Sequence, residues 1–137
     1  MNDSCRISPP AVFIGATGHR GRGVFAGKDF DPGDEIEICP VIVLDTPAER
    51  SHIDRTRLYD YYFAWGEGEE RTAIALGYGS LYNHSYLPNA DHAPDCAAGL
   101  IRIFACRPIR KGEEITINYT GSPDSRDPVW FAISGES

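Results

Sequence analysis

The chain has 137 residues, 42% hydrophobic and 11% aromatic, with a formal net charge of −7. That length fills one core and leaves no room for two domains of usual size; no stretch approaches the roughly 18 apolar residues of a membrane helix, and Met1 to Pro10 lacks a basic segment followed by an apolar run. The acidic balance argues against general nucleic-acid binding, which wants a basic face, and favours encounter with Lys- or Arg-rich partners.

The predicted elements run as follows. "VFAGKDFDPGDEIEI" (24 to 38) reads as a short apolar strand, a polar turn ending in Gly, and a second strand with Ile at alternate positions, which is hairpin chemistry. Thr46-Pro47-Ala48-Glu49 has the form of a capping box with Pro at the first helical position, so a short helix is expected there. "LYDYYFAW" (58 to 65) is aromatic and strand-prone, "GEGEE" (66 to 70) is a solvated turn, and "TAIAL" (72 to 76) is another short strand. "IFACRPIRKGEEITI" (103 to 117) then repeats the first hairpin without a gap: Phe25/Phe104, Ala26/Ala105, Gly33/Gly112, Glu35/Glu114, Ile36/Ile115 and Ile38/Ile117 are identical. Two such hairpins predict a pseudo-symmetric, mostly β core. The tail 120 to 129 is turn-rich but ends in Trp130-Phe131, aromatics that predict packing back onto the body.

Cys5, Cys39, Cys96 and Cys106 form no Cys-x-x-Cys pair, so they are read as reduced and mostly packed. Asn83-His84-Ser85 and Asn118-Tyr119-Thr120 fit the N-glycosylation pattern, a reading without basis in a chain expected to stay in a reducing, cytoplasmic compartment.

Three stretches carry chemistry: Gly21-Arg22-Gly23 before "VFA", "NHSYLPN" (83 to 89), and "GEEITINY" ending at Tyr119. Alone, a Gly-x-Gly is usually a tight turn, an Asn-His pair a loop stabiliser, and a strand-end Tyr part of a core. In this order, framed by the two hairpins, they resemble the SET-domain protein-lysine methyltransferases, above all the short viral and bacterial enzymes, in "ALGYGSLYNHS" and "GLIRIFACRPIRKGEEITINY". The resemblance covers about Gly18 to Tyr119.

It implies a single SET domain over 1–137, mainly β, of β-clip type with small curved sheets, one or two short helices and a C-terminal pseudo-knot. The core would span about 12–119, with 120–137 closing the site. It implies transfer of a methyl group from S-adenosylmethionine to the ε-amine of a lysine in a basic, histone-like substrate, with nuclear action if host chromatin is the target. Gly21, Arg22 and Gly23 would let backbone approach the cofactor's methionine part. Asn83 would hold its amino-acid end, the His84 backbone would meet the adenine, and Trp130 would cover it. Tyr119 would be catalytic; Tyr61, Tyr78 and Phe131 would bind substrate, with Tyr62 and Tyr82 as further aromatic candidates. The short viral relatives also imply a homodimer. Tyr86 stands where larger members carry Cys, and no cysteine follows Cys106, so no metal is expected. Asn118 replaces a frequent Asp, and Val129 precedes Trp130 where the viral enzymes have Tyr.

Two other readings remain open at this level. One is a SET-like interaction module without chemistry. The other is a metal-dependent hydrolase using His84, Asp91 and His92, residue types that ligate zinc or iron but here crowd one loop without a helical spacing.

Overall fold

The computed structural model describes residues 7–66, 68, 70–120 and 126. Strands β1 (Val12–Ala16) and β2 (Arg22–Ala26) form an antiparallel hairpin, with Val12 opposite Ala26 and Ala16 opposite Arg22. The chain continues through β3 (Glu35–Leu44), helix α1 (Pro47–Asp54), β4 (Phe63–Trp65), β5 (Arg71–Ala75), β6 (Asn83–His84), β7 (Ala90–Asp95), β8 (Leu100–Ala105) and β9 (Glu114–Ile117). These strands build two sheets, ordered β1-β2-β9-β6 and β4-β5-β3-β8-β7.

The expected mainly β, pseudo-symmetric core is present, but neither copy of the echo is a hairpin. The first copy sends β2 into one sheet and β3 into the other; the second does the same with β9 and β8. The arms are exchanged: β2 pairs with β9, placing Phe25 opposite Glu114, and β3 pairs with β8, placing Glu35 opposite Phe104. Alternation of apolar residues reports which way a strand faces and not which strand lies beside it. The connections also carry buried residues at their centres, Phe30 at 2% and Ile109 at 1% exposure, which a hairpin tip would leave in water.

Helix α1 follows its capping box: Thr46 Oγ1 accepts from the Glu49 N–H, and Glu49 Oε2 accepts from the Thr46 N–H, both at 3.2 Å. None of its residues is buried. The expected strand over 58–65 is shorter than read, because Thr56 Oγ1 accepts from the Leu58 N–H at 3.1 Å and starts a 3-10 turn, Arg57–Asp60, leaving only 63–65 extended.

Ile101, Ile103, Ile115, Ile117, Val24 and Trp65, each 1% exposed or less, form the centre of the core. Burial of one such side chain stabilises by about 1.5–3 kcal/mol, so β8 and β9, which supply four of them, are the strands the fold least tolerates losing. Cys39 is buried, Cys106 half-buried and Cys96 exposed, all as free thiols. No helix among the described residues is long and apolar enough to cross a membrane. Trp130 and Phe131, and with them the expected closure and pseudo-knot beyond Thr120, lie outside the described residues apart from Arg126.

Candidate active site

The order β2-β9-β6 sets three of the chemistry-bearing stretches side by side. The β1–β2 turn is tied by Thr17, whose N–H and hydroxyl both donate to the Gly21 carbonyl, at 2.8 and 2.9 Å. Gly21 adopts φ +72°, a left-handed conformation that glycine takes without penalty, and open space lies where its Cβ would be. At Gly23 the reason is proximity: a Cβ would stand 2.5 Å from Glu114 Oε2 and 3.0 Å from Asn83 Nδ2. The Arg22 carbonyl accepts from Asn83 Nδ2 at 3.0 Å, while its side chain is exposed.

Asn83 sits on β6, parallel to β9 and opposite Thr116. Its amide NH2 is fully used, donating to the Arg22 carbonyl and, at 2.7 Å, to Glu114 Oε2. Both partners are acceptors, so the amide cannot be reversed without repulsion, and Oδ1 is the face left to accept from a ligand. Glu114 also pairs with Arg20, Oε1 to Nη2 at 3.1 Å, and Arg20 Nη1 donates to the His84 carbonyl at 2.6 Å. Of the His84 backbone expected to meet an adenine, the carbonyl therefore already carries a guanidinium. Sequence reading missed Arg20 and Glu114 as site residues. The signal for Glu114 was a charge at the head of a strand with isoleucine at alternate positions.

The second asparagine does a different job. Asn89 Nδ2 donates to the Glu114 carbonyl at 2.8 Å and Oδ1 accepts from the Thr116 N–H at 2.9 Å, so its side-chain amide imitates a peptide unit and extends the short β6 ladder along β9. Ser85 closes the turn between them, its Oγ accepting from the Leu87 N–H at 2.9 Å.

Tyr119 follows β9 directly. Its N–H donates to His84 Nδ1 at 3.1 Å, which requires that nitrogen unprotonated; its hydroxyl donates to the Tyr82 carbonyl. Asn118 Oδ1 accepts from both the N–H (3.0 Å) and hydroxyl (2.7 Å) of Thr120, an Asx turn that bends the chain just past the tyrosine.

On the other side of Tyr119 lies a cavity of about 640 Å³, walled by Tyr59, Tyr61, Tyr62, Phe63 and His92 with Tyr119 itself. Burial, then the neighbouring Tyr61, push the Tyr119 phenol up to about 12, against the opposing pull of Arg20. Tyr62 donates to Asp54 at 2.9 Å beneath the Arg50 guanidinium, which ties α1 to the wall. His92 packs 5.5 Å from the Phe63 ring, and burial lowers its pKa below the ordinary value. Of the sequence-selected residues, Tyr61 and Tyr119 line this cavity, and Tyr82 and Tyr62 do as well. Tyr78 does not: its N–H donates to Glu37 at 2.9 Å and its ring packs on the core. Gly21, Gly23, Asn83 and His84 are not part of the cavity wall, and His84 joins it by accepting the Tyr119 N–H.

His84, Asp91 and His92 do not converge. His84 Nδ1 is engaged by Tyr119 and His92 faces the cavity; among the described residues no group of three His, Cys, Asp or Glu could hold a metal ion.

Comparison with known proteins places this geometry. The SET domain model matches residues 21–120. A Schizosaccharomyces pombe protein named histone-lysine N-methyltransferase, H3 lysine-37 specific, is 34% identical over 121 residues, covering 88% of this chain and 77% of that protein. A Yarrowia lipolytica histone-lysine N-methyltransferase, H3 lysine-36 specific, is 32% identical across 80% of this chain, which spans only 15% of that longer protein. A crystal structure of a Plasmodium falciparum candidate histone methyltransferase superposes with a TM-score of 0.64 at 31% identity, covering 82% of this chain and 95% of that one. CpSET8 from Cryptosporidium shares the fold, with a TM-score of 0.66 at 20% identity over 88% of this chain and 61% of that chain. With the family model matching most of its length and a relative more than 30% identical, the chain belongs to the SET-domain family.

Proposed function

We propose that this chain is a protein-lysine methyltransferase that uses S-adenosylmethionine and acts on a histone or histone-like tail, and that Tyr119 stands at its reaction centre. The observation that carries the reading is the position of Tyr119, which lines an aromatic cavity and is bonded through its N–H to His84, the residue next to Asn83 of the Gly23–Asn83–Glu114 cluster.

The cluster fits the cofactor. Open space beside Gly21, the missing Cβ at Gly23 and an Asn83 oxygen free to accept suit a ligand carrying an ammonium. When bound, S-adenosylmethionine supplies a methyl group made electrophilic by its sulfonium charge. Asn83 Oδ1 and the Glu114 carboxylate would hold the amino-acid end, and Gly21 and Gly23 would leave room for it.

The cavity suits a lysine. Keeping a lysine of reference pKa near 10.4 neutral at pH 7 costs about 4.6 kcal/mol. Aromatic walls recover part of that by desolvating the amine, and their ring faces accept a methylated cation. The carboxylate in the wall, Asp60, is exposed, where it can attract an ammonium without stabilising it at the reacting end. The net charge of −7 suits a basic tail, and a histone substrate would place the action in the nucleus.

The test uses methyl-labelled cofactor and core histones. Wild type should transfer label, and Tyr119→Phe should lower turnover at least about 10²-fold, on the scale of a lost positioned group, with cofactor affinity by calorimetry within twofold. Unchanged turnover would remove Tyr119 from the reaction, and absence of cofactor binding by folded wild type would remove the activity.

A further inference from the structure

The Gly77-Tyr78-Gly79 turn, of which only Gly79 reaches the cavity, is bound to β3. Glu37 on β3 is 5% exposed and accepts twice: Oε1 from the Tyr82 hydroxyl at 2.7 Å and Oε2 from the Tyr78 N–H at 2.9 Å. Gly77 lies at φ +67°, and a Cβ there would collide with Glu37 Oε2; a Cβ at Gly79 would stand 2.7 Å from Ala75 Cβ and 2.9 Å from Cys39 Sγ. Both glycines thus let the turn close onto a buried carboxylate.

No ion pair to Glu37 is present among the described residues. A buried carboxylate without a counter-charge is costly, and apolar packing would hold a turn more cheaply. What the carboxylate grips leads to the reaction centre. The Tyr82 ring is anchored at Glu37, its backbone runs straight into β6, and its carbonyl accepts the Tyr119 hydroxyl. Because β6 is two residues long, its ladder does not by itself fix the peptide before it. Burial, followed by the charge of Glu37, raises the Tyr82 phenol, so it remains a donor across the physiological range.

We propose that Glu37 and Tyr82 are positioning residues for methyl transfer: Glu37, by gripping the Tyr82 hydroxyl, fixes the Tyr82 carbonyl toward which the Tyr119 hydroxyl is aimed. The proposal rests on the reading of Tyr119 as the catalytic residue. It extends the site one layer inward, to a carboxylate that touches neither lysine nor cofactor.

Tyr82→Phe removes one buried oxygen and keeps the ring. A misplacement of about 1 Å costs up to about 10²-fold, so kcat should fall about ten- to a hundredfold. The KM for a histone peptide and the Kd for S-adenosylmethionine should stay within twofold. Glu37→Gln keeps one acceptor oxygen and should give a smaller loss, and the double variant should be no slower than Tyr82→Phe alone, since both act through one contact. In 13C-tyrosine-labelled protein at pH 7, the ζ-carbon signal of Tyr119 should shift in Tyr82→Phe, a readout that needs no substrate and that loss of stability alone would not produce. An active wild type with both variants within twofold of it, or an unmoved Tyr119 signal, overturns the proposal. An inactive wild type points instead at the methyl-transfer reading.

Discussion

Phe30 and Ile109 exchange both of their backbone hydrogen bonds, Phe30 N–H to the Ile109 carbonyl at 2.7 Å and Ile109 N–H to the Phe30 carbonyl at 2.9 Å. Around this pair the bonds come in matched twos. Ala26 N–H donates to the Glu113 carbonyl (2.8 Å) as Ala105 N–H does to Asp34 (2.9 Å), and Gly112 N–H donates to Ala26 (2.8 Å) as Gly33 N–H does to Ala105 (2.7 Å). Gly33 and Gly112 share nearly one conformation, φ +91° and +92°. The echo in the sequence is thus a pseudo-two-fold axis passing between Phe30 and Ile109, and the exchange of arms across it stitches the two sheets together.

Ile109→Ala should therefore weaken both sheets at once. The side chain is 1% exposed, and truncation of a buried isoleucine costs about 2–5 kcal/mol. Urea unfolding should remain a single transition with an unchanged slope and a lower midpoint. A loss below about 1 kcal/mol, or two separate transitions, would show that the axis does not couple the sheets.

The sequence displayed the elements of the fold more clearly than their partners. The capping box at Thr46 and Glu49 is local chemistry and was legible as such. So was the repeat, because each copy carries the same turn glycine and alternating isoleucines. The exchange of arms was not, since pairing is decided by tertiary contact between segments far apart in the chain, as Val24 opposite Ile115 and Pro40 opposite Leu100 show. In the site, motif spacing brought out Gly23, Asn83, His84 and Tyr119. Arg20, Glu114 and Glu37 stayed hidden because a charged residue in a sequence reads as solvated until its burial is known. Tyr78 was an additional candidate beside Tyr61 whose ring read equally as core packing, and the turn's closure onto β3 places it in the core and off the cavity wall.

Gly23→Ala tests the cofactor side without straining the backbone, because Gly23 has no positive φ. The added Cβ meets the far end of the Glu114 side chain, which yields and takes with it the grip on Asn83 and Arg20. The expected result is a Kd for S-adenosylmethionine raised at least about tenfold, with a cost in stability of only about 1 kcal/mol, a few degrees in Tm. Calorimetric titration beside a thermal melt measures both, and an unchanged Kd would place the cofactor elsewhere.

His92 makes the cavity wall sensitive to acid. Its Nδ1 is buried with no hydrogen-bond partner among the described residues, 3.7 Å from Asp91 Oδ1, and burial outweighs that carboxylate in lowering its pKa. In the folded protein the imidazole is neutral where the unfolded chain would take up a proton, near pH 6.5. The unfolded state therefore binds more protons below that value, and stability is present above about pH 6.5 and lost as pH falls through it. Protonation would also put a cation in the wall of a cavity that must admit a lysine. Two measurements follow. Unfolding free energy should drop between pH 7 and 5, with the slope flattened in His92→Phe, which keeps the ring contact with Phe63. The KM for a histone peptide should rise in wild type only at a pH lower than that at which stability begins to fall, because the folded imidazole protonates below the ordinary value, and should stay level in that variant. A wild-type slope retained in His92→Phe would assign the acid sensitivity to another group and leave the cavity wall neutral throughout.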